Sequence, residues 1–191
     1  MKGSFVFLAD GFEETEALAT LDVLRRGGIE AQTVSIDDEG FVTGSHGITV
    51  AVDMVWSEFL INARLNGTTE EDLLVFPGGM PGTKNLAADE DLMKLMAKHY
   101  DEGGVVAAIC AAPGLVASQL DGLQGKKFTC FDGFQEYMIA KGAEYVQAPA
   151  VTDGNLITGR GAGCAIDFGL AILARIKGEE VAAKVKHAMM L

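Results

Sequence analysis

The sequence contains few cysteines, few basic residues and no long hydrophobic run. Its three cysteines among 191 residues form no CxxC pair, which argues against a disulfide framework and against a structural zinc site. The chain has 15 Lys and Arg residues but 27 Asp and Glu residues. The resulting net charge of -12 disfavours nucleic acid and anionic membranes as partners. No stretch approaches the ~20 apolar residues that span a bilayer, and residues 1–9 are too short for a secretory signal. We therefore expect a cytoplasmic protein without a bound metal ion.

The apolar residues that are present, 49% of the chain, form short runs that alternate with amphipathic stretches. This length and composition fit one domain over residues 1–191. Strands are predicted at Ser4–Ala9, Ala31–Ile36, Phe41–Thr43 and Ile48–Val52 (a hairpin), Leu73–Phe76, Val105–Ile109 and Asn155–Thr158. Helices are predicted at Glu13–Arg26, Glu90–Tyr100, Pro113–Leu120, Ala165–Ile176 and Glu179–His187. This alternation predicts an α/β fold in which helices cover both faces of a parallel sheet.

Ligands of such sheets bind beyond the carboxyl ends of the strands. That rule selects three places in this sequence: the turn after Ala9, the Pro77-Gly78-Gly79 turn, and Cys110.

Cys110 follows a predicted strand and directly precedes a predicted helix, among small residues that suit a sharp turn. Nucleophiles of other α/β enzymes are presented on such elbows. A helix N-terminus favours thiolate over thiol, so we expect a thiol pKa below the usual value of about 8.5. The alternative is that Cys110 packs as a small buried hydrophobe, as free cysteines often do.

The other two strand ends also carry residues of chemical interest. Glycines in the Pro77-Gly78-Gly79 turn would let backbone N–H groups approach a ligand. The carboxylates of Glu13, Glu14 and Glu16 could merely favour the start of a helix, but Glu13 and Glu16 share a face. A glutamate beside a thiolate would have a raised pKa and could act as a base.

The remaining motifs favour structural interpretations. The glycine-rich segment 159–163 resembles a phosphate loop only loosely, because it lacks the Lys-Ser/Thr of a Walker motif. None of the three histidines is near Cys110 in sequence, and surface positions are expected for His99 and His187.

Four segments together resemble the ThiJ/PfpI superfamily, and most of all its parkinsonism-associated deglycase branch. They are Leu8-Ala9-Asp10-Gly11-Phe12-Glu13-Glu14-Thr15-Glu16, Asp22-Val23-Leu24-Arg25-Arg26-Gly27-Gly28-Ile29, Phe76-Pro77-Gly78-Gly79 and Ala107-Ala108-Ile109-Cys110-Ala111-Ala112-Pro113. Segments 158–163 and 177–182 extend the match to nearly the whole chain. Each motif is weak alone, and their order along the chain makes them specific.

The resemblance implies a flavodoxin-like three-layer sandwich that forms a homodimer and needs no cofactor. It implies that Cys110 is the nucleophile and Glu16 its carboxyl partner, with the N–H groups of Gly79 and Ala111 forming an anion pocket. Further pocket or cross-subunit residues implied by it are Arg26, Met80, Arg160 and Ala162.

The sequence departs from the family pattern in several places. Residues 128–132 contain no histidine, which disfavours a Cys–His dyad. Ala111 stands where the protease branch has a histidine, which disfavours protease activity. His46 replaces an arginine of some relatives, and Cys164 replaces a threonine or serine. The segment Met54–Glu71 is longer than usual and could line or cover the site.

Two functions from different classes fit these residues. The first is a cysteine-dependent enzyme acting on small reactive dicarbonyls or their protein adducts, a glutathione-independent glyoxalase or deglycase whose substrate is a small aldehyde or a glycated molecule. The second is a non-enzymatic sensor of oxidative stress, or a chaperone, that acts through oxidation of Cys110. An amidotransferase-like hydrolase would need a Cys-His-Glu triad that the sequence does not offer near Cys110.

Overall fold

The computed structural model describes residues 3–66 and 72–191. In these residues the strands are β1 Ser4–Leu8, β2 Ala31–Ser35, β3 Phe41–Thr43, β4 Thr49–Ala51, β5 Leu73–Phe76, β6 Val105–Ile109, β7 Lys127–Phe128, β8 Glu144–Tyr145, β9 Ala150–Asp153 and β10 Leu156–Gly159. The α-helices are α1 Glu14–Arg26, α2 Trp56–Asn66, α3 Gly82–Ala88, α4 Glu90–Asp101, α5 Ala112–Leu115, α6 Gln135–Ile139, α7 Ala165–Lys177 and α8 Glu179–Ala188. Short 3₁₀ turns cover Ala117–Gln119 and Ala162–Cys164.

Six strands form the central sheet in the order β2-β1-β5-β6-β10-β9. All neighbours in it are parallel except β9, which pairs antiparallel with β10. Two small pairs stand apart, antiparallel β3–β4 and parallel β7–β8. The predicted α/β class with a mostly parallel sheet is therefore confirmed. No helix of the described ranges combines the length and apolar character needed to cross a bilayer.

Side chains of each central strand alternate between two hydrophobic layers, as strand geometry requires. On β1, Phe5 and Phe7 enter one layer, whereas Val6 and Leu8 enter the other. The first layer is covered by α2, α3 and α4, and the second by α1, α7 and α8. Burial on both faces explains why these strands are continuously apolar in sequence.

An aromatic cluster fills the first layer. The ring of Phe59 on α2 lies 4.9 Å from Phe5 and 5.1 Å from Phe7, both edge-on. Trp56 stacks on Phe59 at 5.4 Å with an interplanar angle of 19°. Helix α2 was not predicted, and it belongs to the segment expected to line or cover the site. Its Phe59 is instead fully buried in the core. Residues 67–71 of that segment lie outside the described residues.

Several sequence predictions need correction. The helix expected over Pro113–Leu120 starts at Ala112, ends at Leu115, and gives way to a 3₁₀ turn. The elements α3, α6, β7, β8 and β9 were not predicted. Cys130 follows β7 and is fully buried outside any strand.

His99 was expected on the surface and is 1% exposed on α4. Its ring shares a hydrogen bond of 3.1 Å between Nε2 and the carbonyl oxygen of Val105. It fits because Gly104 has no side chain: a Cβ there would lie 2.1 Å from the ring. Burial lowers the pKa of His99, although contacts with Val105 and Asp72 oppose this. His187 is exposed as expected.

The depressed pKa of His99 predicts a pH-dependent stability. The unfolded chain takes up a proton more readily than the folded one, so stability is lost as pH falls below the unfolded value of about 6.5. One such group changes the free energy of unfolding by at most about 1.4 kcal/mol per pH unit. In urea titrations between about pH 7.5 and pH 5.5, we expect His99→Gln to lose less stability than the parent protein as pH falls.

His187→Gln, on exposed α8, is the matched control and should keep the parent slope. An unchanged slope for His99→Gln would show that another group controls stability in this range.

Candidate active site

Cys110 stands at the carboxyl end of β6 with φ of 66°, in the left-handed region. A non-glycine residue there stores about 1–3 kcal/mol of strain, which persists only where neighbours fix it. Its N–H donates to the carbonyl oxygen of Gly159 at 3.0 Å, and its own carbonyl oxygen accepts from the N–H of Phe131 at 2.9 Å. Two adjacent segments thus hold the elbow and leave its side chain half-buried.

Glu16 reaches the same point from α1. It is 1% exposed, and its Oε2 accepts the N–H of Gly78 at 2.7 Å. The carbonyl oxygen of Gly78 in turn accepts the N–H of Glu13 at 2.9 Å. The turn after β5 is therefore bonded to the first turn of α1 in both directions. The carboxyl group of Glu16 lies beside the thiol of Cys110, close enough for each group to shift the pKa of the other.

Gly78 makes this meeting sterically possible. A Cβ on Gly78 would lie 2.6 Å from Glu16 Oε2, 2.6 Å from Cys110 Cβ and 2.9 Å from Cys110 Sγ. Real side chains do not approach so closely. The sequence predicted that a ligand approaches the backbone of this turn. The groups that lie against Gly78 are instead the side chains of Glu16 and Cys110.

The two acidic groups perturb one another. Burial raises the pKa of Glu16 to about 7, and the charge of Glu13 contributes to this rise. The interactions with Cys110 and with the N–H of Gly78 lower it and only partly offset burial. Burial and the Glu16 carboxylate also raise the pKa of the Cys110 thiol, whereas the N–H groups of Ala111 and Gly79 lower it. The expectation of an acidic thiol is wrong, because burial and the neighbouring carboxylate outweigh the two N–H groups. The four-residue helix α5 supplies too little dipole to offset burial.

The backbone of the expected anion pocket borders the sulfur atom. The N–H groups of Gly79 and Ala111 lie near Cys110 Sγ and lower the pKa of its thiol. Gly79 has φ of 91°, and a Cβ there would lie 2.3 Å from the backbone nitrogen of Glu13. Met80 follows it and is 38% exposed. These N–H groups form a polarised cradle for negative charge on sulfur or on an oxygen bound near it.

The other expected pocket residues do not join Cys110 within this chain. Arg26 forms an exposed 2.7 Å ion pair with Asp22, about 15 Å along α1 from Glu16. Arg160 pairs with Asp132 at 3.0 Å, and Ala162 begins a 3₁₀ turn nearby. Their cross-subunit roles stay predictions.

The other two cysteines differ from Cys110 in their surroundings. Burial raises the pKa of Cys130 to about 11, with a further rise from Asp132 and an opposing effect of Arg160. Cys164 is half-buried at the start of α7. Cys130 is fully buried whereas Cys110 is half-buried, so Cys130 is the less accessible nucleophile.

His46 ties the β3–β4 hairpin to α1 and does not contact Cys110. Its Nδ1 lies 2.8 Å from Glu14 Oε2, and its backbone N–H donates to Glu14 Oε1 at 2.7 Å. Burial alone would raise the pKa of Glu14, but hydrogen bonds from His46 and Ile48 lower it to about 2. The hydrogen bond with Glu14 in turn raises the pKa of His46. Ligand atoms of Glu13, Glu14 and His46 lie within 4.8 Å of one another, a spacing that could hold a metal ion. Ion pairing accounts for this cluster, which sequence reasoning interpreted only as helix-start charges.

A sequence model of the DJ-1/PfpI family matches residues 4–175. The chain belongs to the DJ-1/PfpI family. It is 32% identical over 192 residues to the Parkinson disease protein 7 homolog of Danio rerio, covering 100% of this chain and 97% of that protein. A deglycase of Pyrococcus abyssi is 32% identical over 155 residues, 81% of this chain and 87% of that protein. The predicted membership of this superfamily is therefore confirmed.

Two further comparisons bear on length and fold. Protein DJ-1 homolog A of Arabidopsis thaliana is 33% identical over 184 residues, 96% of this chain but 45% of that protein. The chain thus spans less than half of that relative. The structure of oxidized DJ-1 from Toxoplasma gondii has a TM-score of 0.85 and 29% identity, covering 98% of this chain and 97% of that chain.

The contacts of Gly78 predict the effect of adding a single methyl group. Gly78→Ala should force Sγ and the Glu16 carboxyl apart, which weakens the rise that Glu16 causes in the thiol pKa and so speeds alkylation of Cys110 by ~3-fold or more. The rate is measured with iodoacetamide by mass spectrometry of the Cys110 peptide. Gly40→Ala is the control, since nothing lies within 4 Å of its added Cβ. Parent-like alkylation of a folded Gly78→Ala protein would contradict the argument.

Proposed function

We propose that this chain is a cysteine-dependent enzyme that converts small reactive dicarbonyls, or removes their adducts from proteins, with Cys110 as nucleophile and Glu16 as proton carrier. One observation carries the proposal: a carboxyl and a thiol share a buried contact at a strained elbow while two N–H groups face the sulfur. Family membership and the deglycase relative from Pyrococcus abyssi support it.

The resting form holds one proton between Cys110 and Glu16. Two negative charges in this small, buried volume would repel each other, so the pair loses its second proton only at high pH. Glu16 Oε2 already accepts the N–H of Gly78, whereas Oε1 has no nitrogen or oxygen partner within the described ranges. Because the pKa of the Cys110 thiol is raised well above that of Glu16, this proton rests on sulfur, and Glu16 accepts it on Oε1 as the thiolate forms.

The reaction follows from this arrangement. The Cys110 thiolate adds to the aldehyde carbon, forming a C–S bond, and the carbonyl oxygen takes the proton from Glu16. The Glu16 carboxylate then removes the proton of that carbon and returns it to the neighbouring carbon through an enediol. The product is a 2-hydroxyacyl thioester, which water hydrolyses to the hydroxy acid and the free thiol. The N–H groups of Gly79 and Ala111 stabilise negative charge during addition.

Redox sensing through Cys110 is the second candidate. The same N–H groups, together with a protonated Glu16, would donate hydrogen bonds to the oxygens of a sulfinate. The oxidized form of the Toxoplasma gondii relative favours keeping this candidate. Chaperone behaviour and cytoplasmic location stay predictions from the resemblance and the composition. Protease activity stays disfavoured, because Ala111 follows the nucleophile where the protease branch has a histidine.

Replacement of Glu16 separates these functions. Glu16→Gln keeps a hydrogen-bond donor but removes the base, so we expect conversion of methylglyoxal to lactate to fall by ~100-fold or more while the thiol still reacts with iodoacetamide. The parent rate should rise through about pH 7 as the pair loses its first proton, because the pKa of Glu16 lies at about 7. That midpoint should be lost in Glu16→Gln.

Glu179→Gln is the control, since Glu179 also lies in the first turn of a helix. If Cys110→Ser and Glu16→Gln leave lactate formation unchanged, the enzymatic proposal is wrong and the redox function gains support.

We also propose a homodimer, as the family resemblance implies, with Arg26 close to the partner's site. Two-fold assemblies are the commonest for soluble proteins. Light scattering at micromolar concentration should give twice the chain mass of 20.1 kDa. A monomeric mass would leave Arg26 without a role at any active site.

A further inference from the structure

Phe131 is a large apolar side chain beside the nucleophile that remains 51% exposed. Its N–H donates to the carbonyl oxygen of Cys110 at 2.9 Å, so its backbone lies directly against the elbow. The ring lies over the segment that follows β10, where a Cβ on Gly161 would be 3.3 Å from it. Because Cys110 bonds to Gly159 of β10, the ring and the thiol lie at the same end of the sheet.

The position of Phe131 is fixed from several directions. The carbonyl oxygen of Phe131 accepts the N–H of Phe134 at 3.1 Å. The next residue, Asp132, pairs with Arg160 at 3.0 Å, which joins the segment after β7 to the segment after β10. A side chain fixed in this way offers contact surface without a large further loss of conformational freedom.

Met80 provides a second apolar side chain at the site. It follows Gly79, whose N–H lowers the pKa of the Cys110 thiol, and it is 38% exposed. Met80 belongs to the turn after β5 and Phe131 to the segment after β7, so two separate segments next to Cys110 each carry an exposed apolar residue. Methionine adapts to irregular partners and makes favourable contacts with aromatic rings.

We propose that Phe131 and Met80 form an apolar rim around Cys110 that selects dicarbonyls carrying an aromatic or branched hydrocarbon group over methylglyoxal. The inference rests on the proposed function and specifies its substrate class. Once the thiolate has added to the aldehyde carbon, the group on the neighbouring carbonyl extends away from sulfur towards this rim. The Glu13 carboxylate nearby, like the net charge of -12, disfavours an anionic group there.

The expected size of the preference is moderate. Contact between aromatic groups and additional buried hydrocarbon should raise the preference for a phenyl over a methyl group by about tenfold. Removing the Phe131 ring should abolish most of that preference.

The test uses the full chain and two related thiol reagents, N-benzyl- and N-methyl-iodoacetamide. The ratio of their rate constants at Cys110 is measured by peptide mass spectrometry, which excludes reaction at Cys164. We expect the parent ratio to favour the benzyl reagent by ~10-fold, and Phe131→Ala and Met80→Ala each to lower it by ~3-fold or more. Phe131→Leu should retain part of the preference. Phe41→Ala is the control, because Phe41 is also exposed, at 65%, but lies on the β3–β4 hairpin.

The second measurement compares kcat/KM for phenylglyoxal and methylglyoxal in the same variants. If neither substrate is converted but the reagent ratio falls in Phe131→Ala, the apolar rim is supported and the proposed enzymatic function is wrong. If both substrates are converted and neither the reagent ratio nor the kcat/KM ratio changes in Phe131→Ala or Met80→Ala, the enzymatic function is supported and the rim is wrong. An equal loss of the preference in Phe41→Ala would likewise overturn the assignment.

Discussion

The candidate site depends on the missing side chain of Gly78. Because nothing but hydrogen occupies that position, the carboxyl of Glu16 and the sulfur of Cys110 share one small buried volume. The strands that precede them, β1 and β6, both pair with β5, which Gly78 follows. The hydrogen bonds of Gly78 with Glu16 and Glu13 then fix the start of α1 relative to the end of β5. Any larger residue at Gly78 would have to move a helix or a strand.

The protonation state of the Cys110 thiol depends on contributions of opposite sign. Burial and the neighbouring carboxylate disfavour a thiolate, while two backbone N–H groups favour it. The balance makes the thiol and the carboxyl one titrating unit. The backbone strain at Cys110 is tolerated because β10 and the segment after β7 each hold one of its peptide groups. Positioning and reactivity therefore have the same structural origin.

Sequence reasoning found the elements whose signal is local. The buried strands were predicted because both their faces are covered, and the elbow because small residues surround Cys110. Helix α2 was missed because Phe59 is buried and Trp56 partly buried while Ile61, two positions after Phe59, is 60% exposed, so no single apolar stripe is visible. Family resemblance, not periodicity, selected Glu16 among the three glutamates.

Contacts that form only in the folded chain account for the remaining errors. The burial of His99 requires the open position at Gly104, between the end of α4 and the start of β6. The rise in the thiol pKa comes from burial and from Glu16, which is 94 positions away in sequence and on another element. The exposed ring of Phe131 gave no signal at all, because its closeness to Cys110 comes from one backbone hydrogen bond across the sheet end.

The aromatic cluster around Phe59 has an optical consequence. The chain has one tryptophan, and Trp56 stacks on Phe59 in the layer that contains α2, α3 and α4. Its emission therefore reports on that layer, whereas α1 and α7 pack in the other one and contain no indole. A fluorescence signal from this protein follows one half of the sandwich, and movements of the helix that carries Glu16 stay spectroscopically silent unless they reach the opposite face of the sheet.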